Sequence, residues 1–250
     1  MYYNSIKFPD MSSAHLTNVA FVCCTHGDEQ LGRFISYEYP FGKTDTLLYR
    51  SIIANPEAMY LNVRGVEGDL NRSYPGNPDG NLEERRAAQL LPILQQYDVA
   101  IDFHQAFASM PDLIIVKEWT EEIAAVADCF DMDHVLELNK GAGSYTGLMM
   151  SYVQNSIATE YGYAHNHQDA CERARRDIQN ILTGNRVKPN KLRYRIWGDL
   201  SLDLKGITEI KNLVKLTADQ RELLNLQEEN LYPIFIDGYD DKWAVLIQSL

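Results

Sequence analysis

Cysteine is scarce in this sequence: Cys23, Cys24, Cys129 and Cys171 are the four thiols among 250 residues, and no two stand in a C-x-x-C pair. That spacing offers no thiolate metal knuckle. Cys23 and Cys24 lie inside an apolar run, where a strand would point them to opposite faces, so buried free thiols are expected, as suits a reducing cytoplasm. Positive charge is also short. Twenty-three Lys and Arg stand against 35 Asp and Glu, for a formal charge of −12. Such a balance argues against nucleic-acid phosphates and anionic membranes as partners. Long apolar runs are missing: Met1–Phe8 has no signal-peptide h-region, and no stretch reaches eighteen apolar residues. A soluble, unexported, cytoplasmic protein is expected. Lys140-Gly141-Ala142-Gly143-Ser144 is glycine-rich but lacks the G-K-[ST] ending of a phosphate loop, and no internal repeat or low-complexity segment is visible.

What is present is an ordinary globular composition, 45% hydrophobic and 23% charged, in a chain long enough to bury a full core. The first half alternates strand and helix signals. Asn18–Cys24, Leu47–Ala54, Val99–Phe103, Leu113–Val116, Val135–Leu138 and Ser156–Thr159 read as strands. Glu29–Glu38, Pro56–Leu61, Leu82–Tyr97, Glu121–Phe130 and Gln168–Leu182 read as helices, with Pro92 expected to kink or shorten the third. Arg64–Gly80 is too irregular for either. This rhythm predicts a layered α/β domain with a largely parallel sheet, over residues 1–187. After about Lys188 the βα pattern gives way to alternating strands in Lys191–Leu204 and Leu231–Leu250, with one helix at Ala218–Leu226. A small β-rich C-terminal appendage is expected over 188–250.

The sharpest chemistry lies in Thr25-His26-Gly27-Asp28-Glu29, directly after the first buried strand. An imidazole where a strand ends and a carboxylate where the next helix opens share the rim where α/β sites form. Zinc accepts both ligand types and in catalytic sites takes three protein ligands with one position open. Asp102-Phe103-His104 offers the third, again at a strand end. Taken singly, each of these residues reads as well as a capping or strand-end polar group. Metal binding is favoured because that plainer role would have to recur three times. Arg64 and Asp69-Leu70-Asn71-Arg72 form a second cluster, in a Gly-rich loop of an otherwise acidic chain. Arginine there can bind a carboxylate or steady an oxyanion, although a solvated turn with surface ion pairs is the plainer alternative. Glu160, in Thr159-Glu160-Tyr161-Gly162, is a third candidate at a strand end.

In this order, His26-Gly27-Asp28-Glu29-Gln30-Leu31-Gly32, Asn55-Pro56-Glu57-Ala58 with Arg64, Asp69–Arg72, Asp102–His104 and Thr159–Gly162 resemble the succinylglutamate desuccinylase/aspartoacylase family, a branch of the zinc carboxypeptidase-like hydrolases. The resemblance covers about residues 18–165. It implies a three-layer α/β zinc-carboxypeptidase-like domain with a mixed, largely parallel sheet. It also implies one zinc ion per chain, held by His26, Glu29 and His104. Arg64 would polarise the scissile carbonyl, Asn71 and Arg72 would hold the carboxylate of the released amino acid, and Glu160 would be the general base. The implied activity is a zinc-dependent deacylase that frees an amino acid from a small N-acyl amino acid, with water activated at the metal as nucleophile. A zinc carboxypeptidase acting on short peptides or cell-wall fragments is the alternative.

The pattern departs from the family where substrate is chosen. Aspartoacylase-like members carry an arginine about ten residues before the catalytic glutamate; Met149-Met150 stand here. Desuccinylase-like members carry a threonine and an arginine after the D-x-H motif; Gln105–Ser109 stands here. Neither substrate follows from the sequence. His165 and His167 are candidates to reach the site or a second metal, but a polar loop before a helix is the plainer reading, and Tyr239 is a candidate gate at the entrance.

Overall fold

The computed structural model describes residues 18–106, 110–138, 146–162, 167–200, 210–236 and 244–250. The apolar run NVAFVC is strand β1 (Asn18–Cys23), buried along nearly its whole length. Cys24 lies just beyond it with a left-handed φ of 56°. That turn defeats the expected alternation: both thiols pack into the same core cluster, free and buried. After the turn comes α1 (Gln30–Glu38), with Glu29 at its N-cap. A three-residue strand, β2 (Phe41–Lys43), and β3 (Leu48–Ile53) follow. Then α2 (Pro56–Leu61) begins with Asn55 capping the Ala58 N–H and proline in the first turn, where a missing N–H costs nothing.

Helix α3 (Leu82–Leu94) opens on a capping box between Asn81 and Glu84. Pro92 sits inside its last turn, and the helix stops two residues later, shorter than Leu82–Tyr97. The remaining elements are β4 (Val99–Gln105), β5 (Leu113–Val116), α4 (Glu121–Ala127), β6 (His134–Glu137), β7 (Ser156–Tyr161), α5 (His167–Thr183), β8 (Leu192–Leu200), α6 (Ala218–Leu223), β9 (Leu231–Ile234) and β10 (Ala244–Ser249).

All ten strands of the described residues join one mixed sheet in the order β2-β3-β1-β4-β7-β5-β6-β8-β10-β9. Strands β3, β1, β4 and β7 run parallel; β5 is antiparallel to β7, while β6 and β8 run parallel to β5. The β-rich character expected after residue 188 is present as β8, β9 and β10; β8 joins the main sheet parallel to β6, and β10 and β9 extend it through antiparallel pairs. On one face, α1, α4 and α5 bury Leu31, Ile35, Val126, Ala174 and Ile178 against Phe21, Ile101, Phe103 and Ile157. On the other, α3 buries Ala87, Leu90 and Leu94 against Ala20, Val22 and Ala100. The result is helix, sheet, helix, each layer burying the apolar stripe of the next.

Candidate active site

Three parallel strands, β1, β4 and β7, end on one rim, and the chemistry collects there. Beyond β1 the chain must turn tightly under α2. A Cβ on Gly27 would lie 2.0 Å from the Ala58 backbone carbon, so only glycine fits. The turn delivers His26 and Glu29 inward, both about 3% exposed. On β4, His104 lies on the same side as Asp102, two residues earlier, and both border one cavity.

These side chains converge. His26 Nδ1 is 2.6 Å from Glu29 Oε1, and His104 Nδ1 is 3.2 Å from both Glu29 Oε2 and His26 Nδ1. One donor atom from each of the three residues lies within 4.8 Å of the others. The outer edge of each ring meets a further carboxylate. His26 Nε2 lies 3.2 Å from Asp69 Oδ1, and His104 Nε2 lies 3.0 Å from Asp102 Oδ2, a contact too oblique to satisfy that nitrogen as a hydrogen bond. Asp102 also accepts from the Thr25 hydroxyl at 2.7 Å, and Asp69 accepts from Arg64 at 3.1 Å and from the Asn71 N–H at 2.8 Å.

The electrostatics follow from this packing. Burial alone would raise the Glu29 carboxyl, but the two imidazoles outweigh it and hold the group well below the usual carboxylate range. Burial would lower His104, yet the charges of Asp102 and Glu29 outweigh that and raise it well above an ordinary imidazole. His26 is raised in the same way, burial being overcome chiefly by Glu29 with Asp69 behind it. The donor set suits a metal cation. The neutral rings would turn two Nδ1 lone pairs toward each other, and a cation between them and Glu29 relieves that repulsion. A carboxylate behind each ring is the outer support that fixes a ligating imidazole.

Glu160 is the in-register partner of His104 across the β4–β7 pair. It borders the cavity, and no side-chain hydrogen bond ties it to another described residue. Burial, opposed by His104 and reinforced by Glu29, raises its carboxyl to about 7. The cavity, of about 310 Å³, brings together Arg64, Asn71, Arg72, His104 and Glu160. His26 and Glu29 are not among its lining residues, and lie behind His104. Asn71 and Arg72 sit in a 3-10 turn capped by Asp69. That turn is pressed against Gly147, where a Cβ would lie 2.5 Å from the Arg72 carbonyl oxygen.

Three carboxylates without an assigned role in the sequence reading belong to this architecture. Asp69 and Asp102 stand behind the histidines. Glu83, fully buried on α3, accepts from the Val66 and Glu67 N–H groups and from Asn55, and so ties down the loop that carries Arg64. Aspartate two residues before His104 on a strand was a usable signal, since alternate residues share a face; nothing local marks Asp69 or Glu83. His167 opens α5 and hydrogen-bonds the Gln105 side chain at 3.0 Å; it is not among the residues that border the cavity. His165, Tyr239 and the 140–144 glycine-rich stretch lie outside the described residues.

Fold and site together define a three-layer α/β protein with a two-histidine, one-carboxylate cluster able to hold a metal ion. Residues 15–184 match the model of the succinylglutamate desuccinylase/aspartoacylase catalytic domain, and the chain belongs to that family. It is 32% identical over 124 residues to a probable aspartoacylase from Acaryochloris marina, a match spanning 43% of this chain and only 41% of that relative. Murine aminoacylase 3 shares the fold with a TM-score of 0.72 at 19% identity, over 96% of this chain and 97% of that one. The succinylglutamate desuccinylase of Chromobacterium violaceum does so with a TM-score of 0.69 at 15% identity, over 96% and 87%. No described helix is long and apolar enough to cross a membrane.

Proposed function

We propose that the chain is a zinc-dependent amidohydrolase that releases an amino acid from a small N-acyl amino acid. The observation that carries this reading is the convergence of His26, Glu29 and His104, each imidazole backed by a carboxylate, beside a cavity that holds two arginines and a glutamate with no side-chain partner among the described residues. Zinc, held by those three residues, would supply Lewis acidity toward a carbonyl oxygen and acidify water near neutral pH.

The protein's own groups do the rest. Asn71 and Arg72 hold the substrate carboxylate, the guanidinium through paired N–H donors. Arg64, kept over the site by Asp69, neutralises the charge that develops on the scissile carbonyl oxygen. Water adds to the carbonyl carbon and the C–N bond breaks. Glu160 takes a proton from the water and returns it to the departing amine nitrogen, a task suited to a carboxyl raised toward neutral pH. The products are a free carboxylic acid and a free amino acid.

The test couples metal content with hydrolysis. The wild type should retain about one zinc per chain and cleave members of an N-acyl amino-acid panel. His104→Ala should lose metal and turnover together, with elemental analysis and amine release as the two readouts. Full zinc retention in the His26→Ala/His104→Ala double variant would sink the ligand assignment.

A further inference from the structure

The cavity has two unlike ends. Sheet order places the arginine-bearing loop on the β1 side, where Asp69 touches His26, and the metal-binding cluster and Glu160 on β1, β4 and β7 in the middle. Beyond β7 the same cavity continues across β5, β6, β8 and β10. There it is walled by Ile115, Leu136, Leu138, Ile196 and Phe235, with Met150 over the same face. No charged side chain comes from this far wall among the described residues.

Most of this wall is held firmly. Leu136, Ile196 and Met150 are 2 to 5% exposed and belong to one buried cluster that continues into the core. Phe235 turns into it from a left-handed backbone, φ 54°, that a bulky side chain rarely adopts. An ionised group pushed against this surface would lose its water and find no partner among the described residues, whereas each methylene laid on it is removed from water.

We infer that the far end of the site is an acyl subsite for an uncharged, apolar chain, so the substrates are N-acyl amino acids with a medium-length aliphatic or aryl acyl group and a single carboxylate at Arg72. The inference rests on the proposed amidohydrolase reading for the placement of the scissile bond. With the amino-acid carboxylate held at Asn71 and Arg72, the acyl group has to extend past Glu160 toward β6 and β8. Met149 and Met150 both border the cavity and bring no charge to it.

The experiment compares binding within one amino acid, alanine. Calorimetric titration of zinc-loaded Glu160→Gln with N-acetyl-, N-propionyl-, N-butyryl- and N-pentanoyl-alanine should show affinity rising about four-fold per methylene. N-succinyl-alanine, similar in length to the pentanoyl compound but ending in a carboxylate, should bind at least about ten-fold more weakly than it. Met150→Gln, close to the original in length, should weaken the pentanoyl compound while leaving the acetyl one unchanged. Equal or tighter binding of the succinyl compound, or an affinity flat with chain length, overturns the apolar subsite. Wild-type turnover separates the two ideas. Chain-length-dependent binding without any hydrolysis counts against the amidohydrolase reading and supports the subsite. Preferred hydrolysis of N-succinyl-alanine counts against the subsite and leaves the reading standing.

Discussion

Glu160 and Tyr161 are neighbours on β7 and face opposite sides of the sheet, and each side holds a carboxyl group that burial pushes upward. On the cavity side Glu160 is raised to about 7; on the helix side Asp177, which accepts from the Tyr161 hydroxyl, is raised to about 6. The difference lies in what surrounds them. Asp177 is 2% exposed and accepts two hydrogen bonds of 2.8 Å, from Tyr161 and from the Asp131 N–H, with each oxygen engaged. Glu160 faces open volume and has no such bonds among the described residues. Burial alone therefore does not mark a reacting group. A perturbed carboxyl whose oxygens are saturated by its own fold is held in place, while one left free toward a cavity can exchange a proton with a ligand.

The strongest way to sharpen that contrast is to remove the proposed proton acceptor and keep the shape. Glu160→Gln should retain the metal and the fold while kcat falls on the order of 10²–10⁴-fold. The checks are steady-state kinetics beside elemental analysis and a denaturation curve. A variant with near wild-type kcat would place the base elsewhere.

A smaller effect is expected at the proposed carboxylate clamp. Arg72→Lys replaces a planar fork with a point charge, so binding of a carboxylate-bearing substrate should weaken about 10- to 150-fold while zinc content stays unchanged. The same substrate as its amide should be poor for the wild type and nearly indifferent to the substitution. Equal losses on acid and amide would make Arg72 a structural residue of its 3-10 turn.

The half of the site that was legible in the sequence is the half written in short spacings. His26 and Glu29 are three residues apart, and Asp102 and His104 two, each directly after or within an apolar run. Strand ends and the period of two place them on a common rim. The helix Pro56–Leu61 was legible to the residue, because Asn-Pro supplies both a cap and a first-turn proline. What was not legible needed the strand order. A βα rhythm predicts neighbours in sequence, but β4 pairs with β7, and β5 lies beyond β7 and antiparallel to it. The apolar wall is assembled from strands that far apart in the chain, so no local pattern announces it. The partnership of Asp69 with His26 spans 43 residues and has the same cause. Strand β2 was missed because three residues, Phe41–Lys43, carry no alternation to read.

The smallest effect on turnover, and the sharpest on stability, is expected across the sheet from Glu160. Asp177 has an ordinary carboxyl value of 3.8 once unfolded and about 6 when folded, because burial outweighs the two hydrogen bonds it accepts. Between those values the folded protein binds the proton more tightly than the unfolded chain. The protonated group's contribution is thus fully present below about pH 4 and is lost as pH rises through about 6. This single carboxyl therefore lowers stability across that window by an amount on the order of 2–3 kcal/mol. Asp177→Asn removes the titration. Its one oxygen can still accept from the Asp131 N–H, and its amide N–H can donate to the Tyr161 hydroxyl, which reverses its role. The variant should keep wild-type kcat and gain stability relative to the wild type as pH moves from 4 to 7, read as urea midpoints at each pH. If the two proteins share one pH–stability slope, Asp177 titrates normally, and the contrast between the two faces of β7 then rests on Glu160 alone.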